Sequence, residues 1–288
     1  MTTGLQLAYS QDEAGKPAAP SRRSLSEAFA AAAAGAPPRQ PHNDGDLLIA
    51  EAFIAQETLK KIGRLVNSDL HGIFEIGPEK DLARAKAKTK ERGDLALNCD
   101  FSRARVLLRD VEQIKKAIDL FGQTGLTRLG KGDKAIEVNI VDVDNTFSRP
   151  SPKKPGLCNL DVKIALPITL DTGEESYHIC EVQFLHKGTK ATYKKSHEIY
   201  EEARSELIRR QFIENAMDMA GCPETAKNLE KRWHKADKLY NELMQKREDL
   251  NTGIAEKLGL NALRGYQPCN TNTAKSLQCS TERVYEVR

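Results

Sequence analysis

Glu181 stands in "YHICEVQFL", an apolar stretch that alternates as a strand does. Alternation puts His178, Cys180, Val182 and Phe184 on one face of that strand and Ile179, Glu181, Gln183 and Leu185 on the other. A carboxylate beside an amide is costly to bury without partners, so such a pair points to the lining of a polar cleft. The strand is followed by lysines and then by "KSHEIYEEAR", in which His197 and Tyr200 lie one helical turn apart. Upstream, Lys80, Arg84, Lys86, Lys88, Lys90 and Arg92 crowd into 13 residues, opposed only by Asp81 and Glu91. On a helix Lys80, Arg84 and Lys88 run along one side, a row of donors suited to a triphosphate. Asp100 precedes "RARVLL", beside Arg103 and Arg105, where it could hold Mg²⁺. Each feature alone also has a plain structural reading: a solvated basic face, an ion-paired loop acid, a wet edge strand.

Other chemistries lack their residues. "HEIYE" is not H-E-x-x-H, because Glu201 stands where the second histidine would be. No glycine-rich loop leads into a lysine as a P-loop requires. Cys180 reads as a core cysteine, and the six cysteines (Cys99, Cys158, Cys180, Cys222, Cys269, Cys279) form no C-x-x-C pair. Trp233, with Leu229, Leu239 and Leu243 at helical spacing, reads as core or as an oligomer contact.

The elements that must position these residues follow from the rest of the chain. The 288 residues are 39% hydrophobic and 30% charged with a net charge of +3, the balance of a soluble globular protein rather than a general nucleic-acid coat. No apolar run reaches the roughly 20 residues of a membrane helix, and no secretory signal pattern opens the chain. Residues 1–45 are rich in Ala, Pro, Ser and Gly and predict a disordered leader, with "SLSEAFAAAAA" as a short helix within it. Residues 46–220 hold the main domain, 221–264 a helical extension, and 265–288 a flexible tail. Helices are expected over "DGDLLIAEAFIAQETLKKIGRLV" (capped by Asp44 or Asp46), "PEKDLARAKAKTKER" and "DVEQIKKAIDLF" (capped by Asp110), and as two long stretches from about Lys190 to Met219 and Glu224 to Lys257. Strands are expected at "RARVLL", "AIEVNIVDV", "NLDVKIALPITL" and "YHICEVQFL". Three of these follow one another with short connections and must pair mainly antiparallel. The fold class is therefore α+β, with a mixed, mainly antiparallel sheet of four to five strands and helices covering one face.

In this order "KDLARAKAKTK", "DFSRARVLLRDVEQIKKAIDLF", "KKPGLCNLDVKIAL", "CEVQF" and "KSHEIYEEAR" resemble the RelA/SpoT-like nucleotidyltransferase domain, the catalytic domain of alarmone synthetases. The likeness is greatest to a divergent branch that ends in a glutamate strand and an "sHxxYexaR" block, and it spans residues 46 to 210. The resemblance implies Mg²⁺-dependent transfer of pyrophosphate from ATP to the 3′-hydroxyl of an acceptor nucleotide. It implies that Arg84, Lys86 and Lys88 grip the ATP phosphates, with Arg103 or Arg105 holding the donor. Asp100 would bind Mg²⁺, and Glu181 would assist the metal or activate the acceptor hydroxyl. Gln183, His197 and Tyr200 complete the nucleotide site.

One block departs from the family. An aromatic residue usually follows the glycine and stacks on the acceptor base, whereas here "PGLCNL" offers Leu157 and Cys158. The acceptor is therefore left open between a nucleotide and an RNA end, and a non-catalytic protein that keeps the fold to bind a nucleotide or a partner is the competing expectation. The C-terminal helices are the expected surface for a homo-oligomer. A cytoplasmic location is the simplest expectation, with delivery into a host cell through an unfolded leader as the alternative.

Overall fold

The computed structural model describes residues 23–77, 85, 94–132, 135–151, 154 and 156–268. Helices α1 (Leu25–Ala33) and α2 (Gly45–Leu70) lead into strands β1 (Ile73–Ile76) and β2 (Arg103–Leu108). Helix α3 (Val111–Phe121) is followed by β3 (Gly125–Leu129), β4 (Ile136–Asn145), β5 (Leu160–Thr169) and β6 (Glu175–His186). Two long helices, α4 (Lys190–Asp218) and α5 (Pro223–Lys257), complete the order. The fold is α+β with a six-stranded mixed sheet in the order β1-β2-β6-β5-β4-β3. Only β2 and β6 run parallel; the other neighbours are antiparallel. β6 is thus a central strand, and Glu181 is not on a wet edge.

Local chemistry fixes the helix starts. Asp44 accepts hydrogen bonds from the amides of Asp46 and Leu47, and Asp110 accepts from Gln113 N at 2.8 Å, each capping donors that no helical carbonyl reaches. The expected boundaries of both long helices hold to within a residue or two. The strands expected at 103–108, 135–143, 159–170 and 177–185 are present as β2, β4, β5 and β6, and β1 and β3 add to them. Both additions are short, and neither carries an alternating pattern long enough to mark it.

The sheet's two faces differ. On one, α2 and α3 bury Leu59, Ile62, Val66, Ile114 and Ile118 against Val106, Leu108, Val162, Ile164, Val182 and Phe184, each fully buried aliphatic side chain contributing about 1.5–3 kcal/mol. Gly63 lets α2 approach, since a Cβ there would stand 2.4 Å from the Phe74 ring. On the other face α1 packs its Leu25, Ala28, Phe29 and Ala32 over Val141, Ala165, Tyr177 and Ile179. The expectation that helices cover one face alone is corrected by α1.

The expected disordered leader is also corrected for residues 23–44. Ser24 and Glu27 form a reciprocal capping box on α1, and the segment after it buries Gln40 and His42. This stretch needs few large apolar side chains because backbone groups of β6 receive Gln40 and the Glu51 carboxylate of α2 receives His42. The chain after α5 also packs against the main domain. Leu260 and Leu263 enter the main core, Arg264 donates to Thr146 O at 3.0 Å, and the Tyr266 hydroxyl donates to Asp119 at 3.0 Å. Among the described residues no helix is long and apolar enough to cross a membrane.

Candidate functional site

The outer face of the sheet is apolar under α1 and becomes polar one step further along the strands. On β6 the change falls between Ile179 and Glu181, on β5 between Ala165 and Lys163, and on β4 between Val141 and Asp142. A bulge in β4 between Ile140 and Asp142 makes Val141 the extra residue and sets Asp142 opposite Lys163. Such a bulge re-aims the side chains that follow it.

Strand register then arranges two rows of side chains across the sheet. The first runs Arg103, Glu181, Lys163, Asp142. The second runs Glu75, Arg105, Gln183, Asp161, Asp144. Opposed residues on neighbouring strands share a face and lie within reach of one another. The first row therefore alternates in sign, with the Glu181 carboxyl between a guanidinium and an ammonium.

Partners hold most of these groups. Lys163 pairs with Asp142. Lys154 bridges Asp161 at 2.6 Å and Asp144 at 2.8 Å, and Asn159 Nδ2 donates to Asp161 Oδ1 at 2.7 Å. Burial works against both ammonium groups, but the carboxylates outweigh it, and the pKa values of Lys154 and Lys163 are raised. Both lysines are thus fixed cations at neutral pH.

Glu181 is different. No side chain among the described residues hydrogen-bonds to its carboxylate. It lies half-buried in the polar strip. Desolvation, then the like charges of Asp161 and Asp100, push its pKa up to about 7, with Lys163 and Lys154 opposing them. Such a carboxyl exchanges a proton near neutrality, the condition a general base needs.

Asp100 sits half-buried in the loop that enters β2. Glu181 N donates to Ser102 O at 3.0 Å, tying that loop to β6. The structure thus brings Asp100, Arg103, Arg105, Glu181 and Gln183 into one region. Among the described residues no group of three or more His, Cys, Asp or Glu side chains is arranged to hold a metal ion. Arg84, Lys86 and Lys88 lie outside the described residues, as do most of the basic segment around them and Pro78.

Helix α4 closes one end of the strip with a residue that sequence reasoning did not single out. The Tyr193 hydroxyl donates to Gln183 Oε1 at 3.5 Å, and the Arg105 guanidinium stacks over its ring at 4.9 Å. His197 and Tyr200 follow Tyr193 along the same face of α4, one and two turns on. The His197 ring meets the Tyr200 ring edge-on at 6.3 Å and lies 3.6 Å from Glu201. Tyr200 carries the buried guanidinium of Arg247 at 4.8 Å over its ring, and Arg247 Nε donates to Ser196 Oγ at 3.2 Å. The α4 residues in contact with the strip therefore include Tyr193 and Lys190, whose ammonium lies 2.5 Å from the Glu75 carboxylate.

Lys163, Asp161 and Lys154 were also missed. Their signal was present in "NLDVKIAL", where Asp161 and Lys163 interrupt an apolar alternation as Glu181 and Gln183 do in the next strand. Leu157 lines a small cavity with Thr192 and Tyr193 of α4 and Asn251 and Ile254 of α5. Beside it Gly156 takes φ +66°, and a Cβ there would stand 2.7 Å from Glu248 O, so α5 packs directly on this loop. Trp233 serves contact within the hairpin of α4 and α5, donating to Glu214 at 2.7 Å beneath Arg210 at 4.9 Å.

No protein-family model matches the chain, and no characterised protein matches its sequence. Solved structures distantly similar to it include two of one protein. One is the small alarmone synthetase 1 from Bacillus subtilis, 15% identical over 71% of this chain and 94% of that one, with a TM-score of 0.38. The other is the same synthetase bound to AMPCPP, 14% identical over 71% of this chain and 96% of that one, with a TM-score of 0.39. Likenesses this loose assign no activity.

Proposed function

We propose that the polar strip is the active site of a Mg²⁺-dependent pyrophosphokinase that uses ATP as donor. The observation that carries this reading is Glu181: a half-buried carboxyl pushed up to about 7, set between Arg103 and Lys163, on the face that also holds Arg105 and Gln183. Phosphoryl chemistry needs charge neutralisation and alignment more than a protein nucleophile. Arg103 and Arg105 supply fixed guanidinium groups for phosphate oxygens, joined on sequence grounds by Arg84, Lys86 and Lys88.

In the proposed step the oxygen of an acceptor 3′-hydroxyl attacks the β-phosphorus of ATP. The bond from that phosphorus to the α–β bridging oxygen breaks, AMP leaves, and the hydroxyl proton passes to Glu181. Asp100 would hold Mg²⁺ together with substrate phosphates, as that ion is usually held by one or two carboxylates, and Glu181 would either assist it there or act as the base. The mutual repulsion of Asp100, Asp161 and Glu181 is what a bound dication would relieve. When bound, Mg²⁺ would neutralise the phosphate oxygens and orient the triphosphate.

The acceptor is a nucleotide or an RNA end. Leu157 supplies no ring for base stacking, which favours a second reading, a protein that binds nucleotide or a partner without turnover. Residues 23–44 are folded onto the sheet and supply no unfolded delivery signal for an effector or toxin. The full chain should be incubated with labelled ATP, Mg²⁺ and a panel of nucleotides and tRNA, with products resolved. A pyrophosphorylated acceptor and AMP in equal amounts support the enzyme. Mg²⁺-dependent ATP binding without product supports the second reading, and no ATP binding removes the enzyme and leaves only partner binding.

A further inference from the structure

Strand β6 runs past the start of β2, whose pairing begins at Arg103 with Glu181. The N–H and C=O of Ile179 therefore face a side on which no strand lies. Gln40 fills the place. Its Oε1 accepts from Ile179 N at 2.9 Å, and its Nε2 donates to Ile179 O at 2.9 Å, so the carboxamide pairs with Ile179 as a neighbouring peptide group would. The same Nε2 lies 3.3 Å from Asn98 O, and Gln40 N donates to Ala96 O at 2.8 Å.

Surrounding bonds fix the same segment. Asn43 Oδ1 accepts from Ala96 N at 2.8 Å, Cys99 Sγ lies 3.5 Å from Pro38 O, and the Tyr177 hydroxyl donates to Arg39 O at 3.2 Å. Gln40 is 1% exposed, so its side-chain bonds to Ile179 and Asn98 are made away from water, where leaving them unmade is costly. Asn98 lies two residues before Asp100, and Ile179 lies two residues before Glu181.

We propose that Gln40 is a positioning residue. Its side chain supplies the missing rung that locks the Asp100 loop against the Glu181 strand and so sets the placement of the two acids. The consequence for metal binding rests on the functional reading above; the clamp itself does not.

The test uses the full chain, with Gln40→Met, which keeps the length and loses the amide, and Tyr177→Phe, which loosens the arm without touching the loop. Asn43→Ala, a milder loss at the same loop, serves if Gln40→Met fails to fold. Amide hydrogen exchange over residues 95–102 should speed up about tenfold or more in Gln40→Met, while the β3–β4 hairpin is unchanged. By calorimetry, ATP affinity with Mg²⁺ should fall about tenfold, and ATP affinity in EDTA should hold. Tyr177→Phe should change neither. A merely structural role would lower melting temperature and affect both affinities alike. Unchanged exchange at 95–102 overturns the clamp, and unchanged Mg²⁺ dependence overturns the positioning role. If the wild-type chain shows no Mg²⁺-dependent ATP binding, the functional reading falls, and exchange alone then upholds or overturns the clamp.

Discussion

Lys163 lies directly opposite Glu181 in the antiparallel β5–β6 register. Its ammonium is already paired with Asp142, so it lowers the cost of ionising Glu181 without neutralising it. Desolvation and the charges of Asp161 and Asp100 prevail, and the carboxyl titrates near neutrality.

Glu181→Gln should leave the fold intact and reduce transfer by about 10²–10⁴-fold, the usual contribution of a positioned base. Its stability effect has a defined sign. The folded pKa of about 7 lies above the ordinary 4.5, so Glu181 supports the fold fully below pH 4.5 and that support is lost as pH rises through about 7. In a chelator-containing buffer the variant should therefore melt with wild type near pH 4 and exceed it at pH 8 by about 1 kcal/mol, allowing for partial solvent screening. Equal melting at pH 8 would show that Glu181 carries no raised pKa.

Lys163→Met removes the first of the two cations that oppose the rise. Glu181 should then titrate higher still, and the acidic limb of the pH–rate profile should move to higher pH. A profile that does not move would show that Glu181 does not control the limb.

Asp100→Asn removes a like charge, so Glu181 should titrate closer to the ordinary range. The same change should weaken Mg²⁺-dependent ATP binding. Calorimetry with and without Mg²⁺ decides the matter, because identical Mg²⁺ dependence in variant and wild type removes the metal role.

Deletion of residues 1–45 should destabilise the protein, contrary to what the composition of that stretch suggests. It removes Gln40 and takes His42 from Glu51, whose carboxylate lies 3.1 Å from His42 Nε2 with neither side chain exposed. Stripping a partner from a buried carboxylate costs about 3–5 kcal/mol. Thermal melting should show a drop on the order of 10 °C, and an unchanged midpoint would mean the arm contributes nothing.

The sequence by itself determined the elements and the acids. Period-two alternation marked β4, β5 and β6 and put Glu181 and Gln183 together on one face, because that choice depends only on neighbours along the strand. Capping residues and helical spacing fixed α2 and α3 for the same reason, while α4 and α5 were marked by their length alone. β1 and β3 escaped because "IFEI" and "GLTRL" are too short to show a period. Tertiary structure alone decided what surrounds Glu181. Arg103 and Lys163 meet it through the registers of two different strand pairs, and register is a property of the sheet, not of any strand. Gln40 reaches Ile179 across 139 residues of sequence, and its polar, Pro-flanked segment is ordered only because β6 overruns β2 and leaves a rung to fill. Composition could not reveal that docking, since what orders the arm is the unpaired backbone of a distant strand rather than apolar surface of its own.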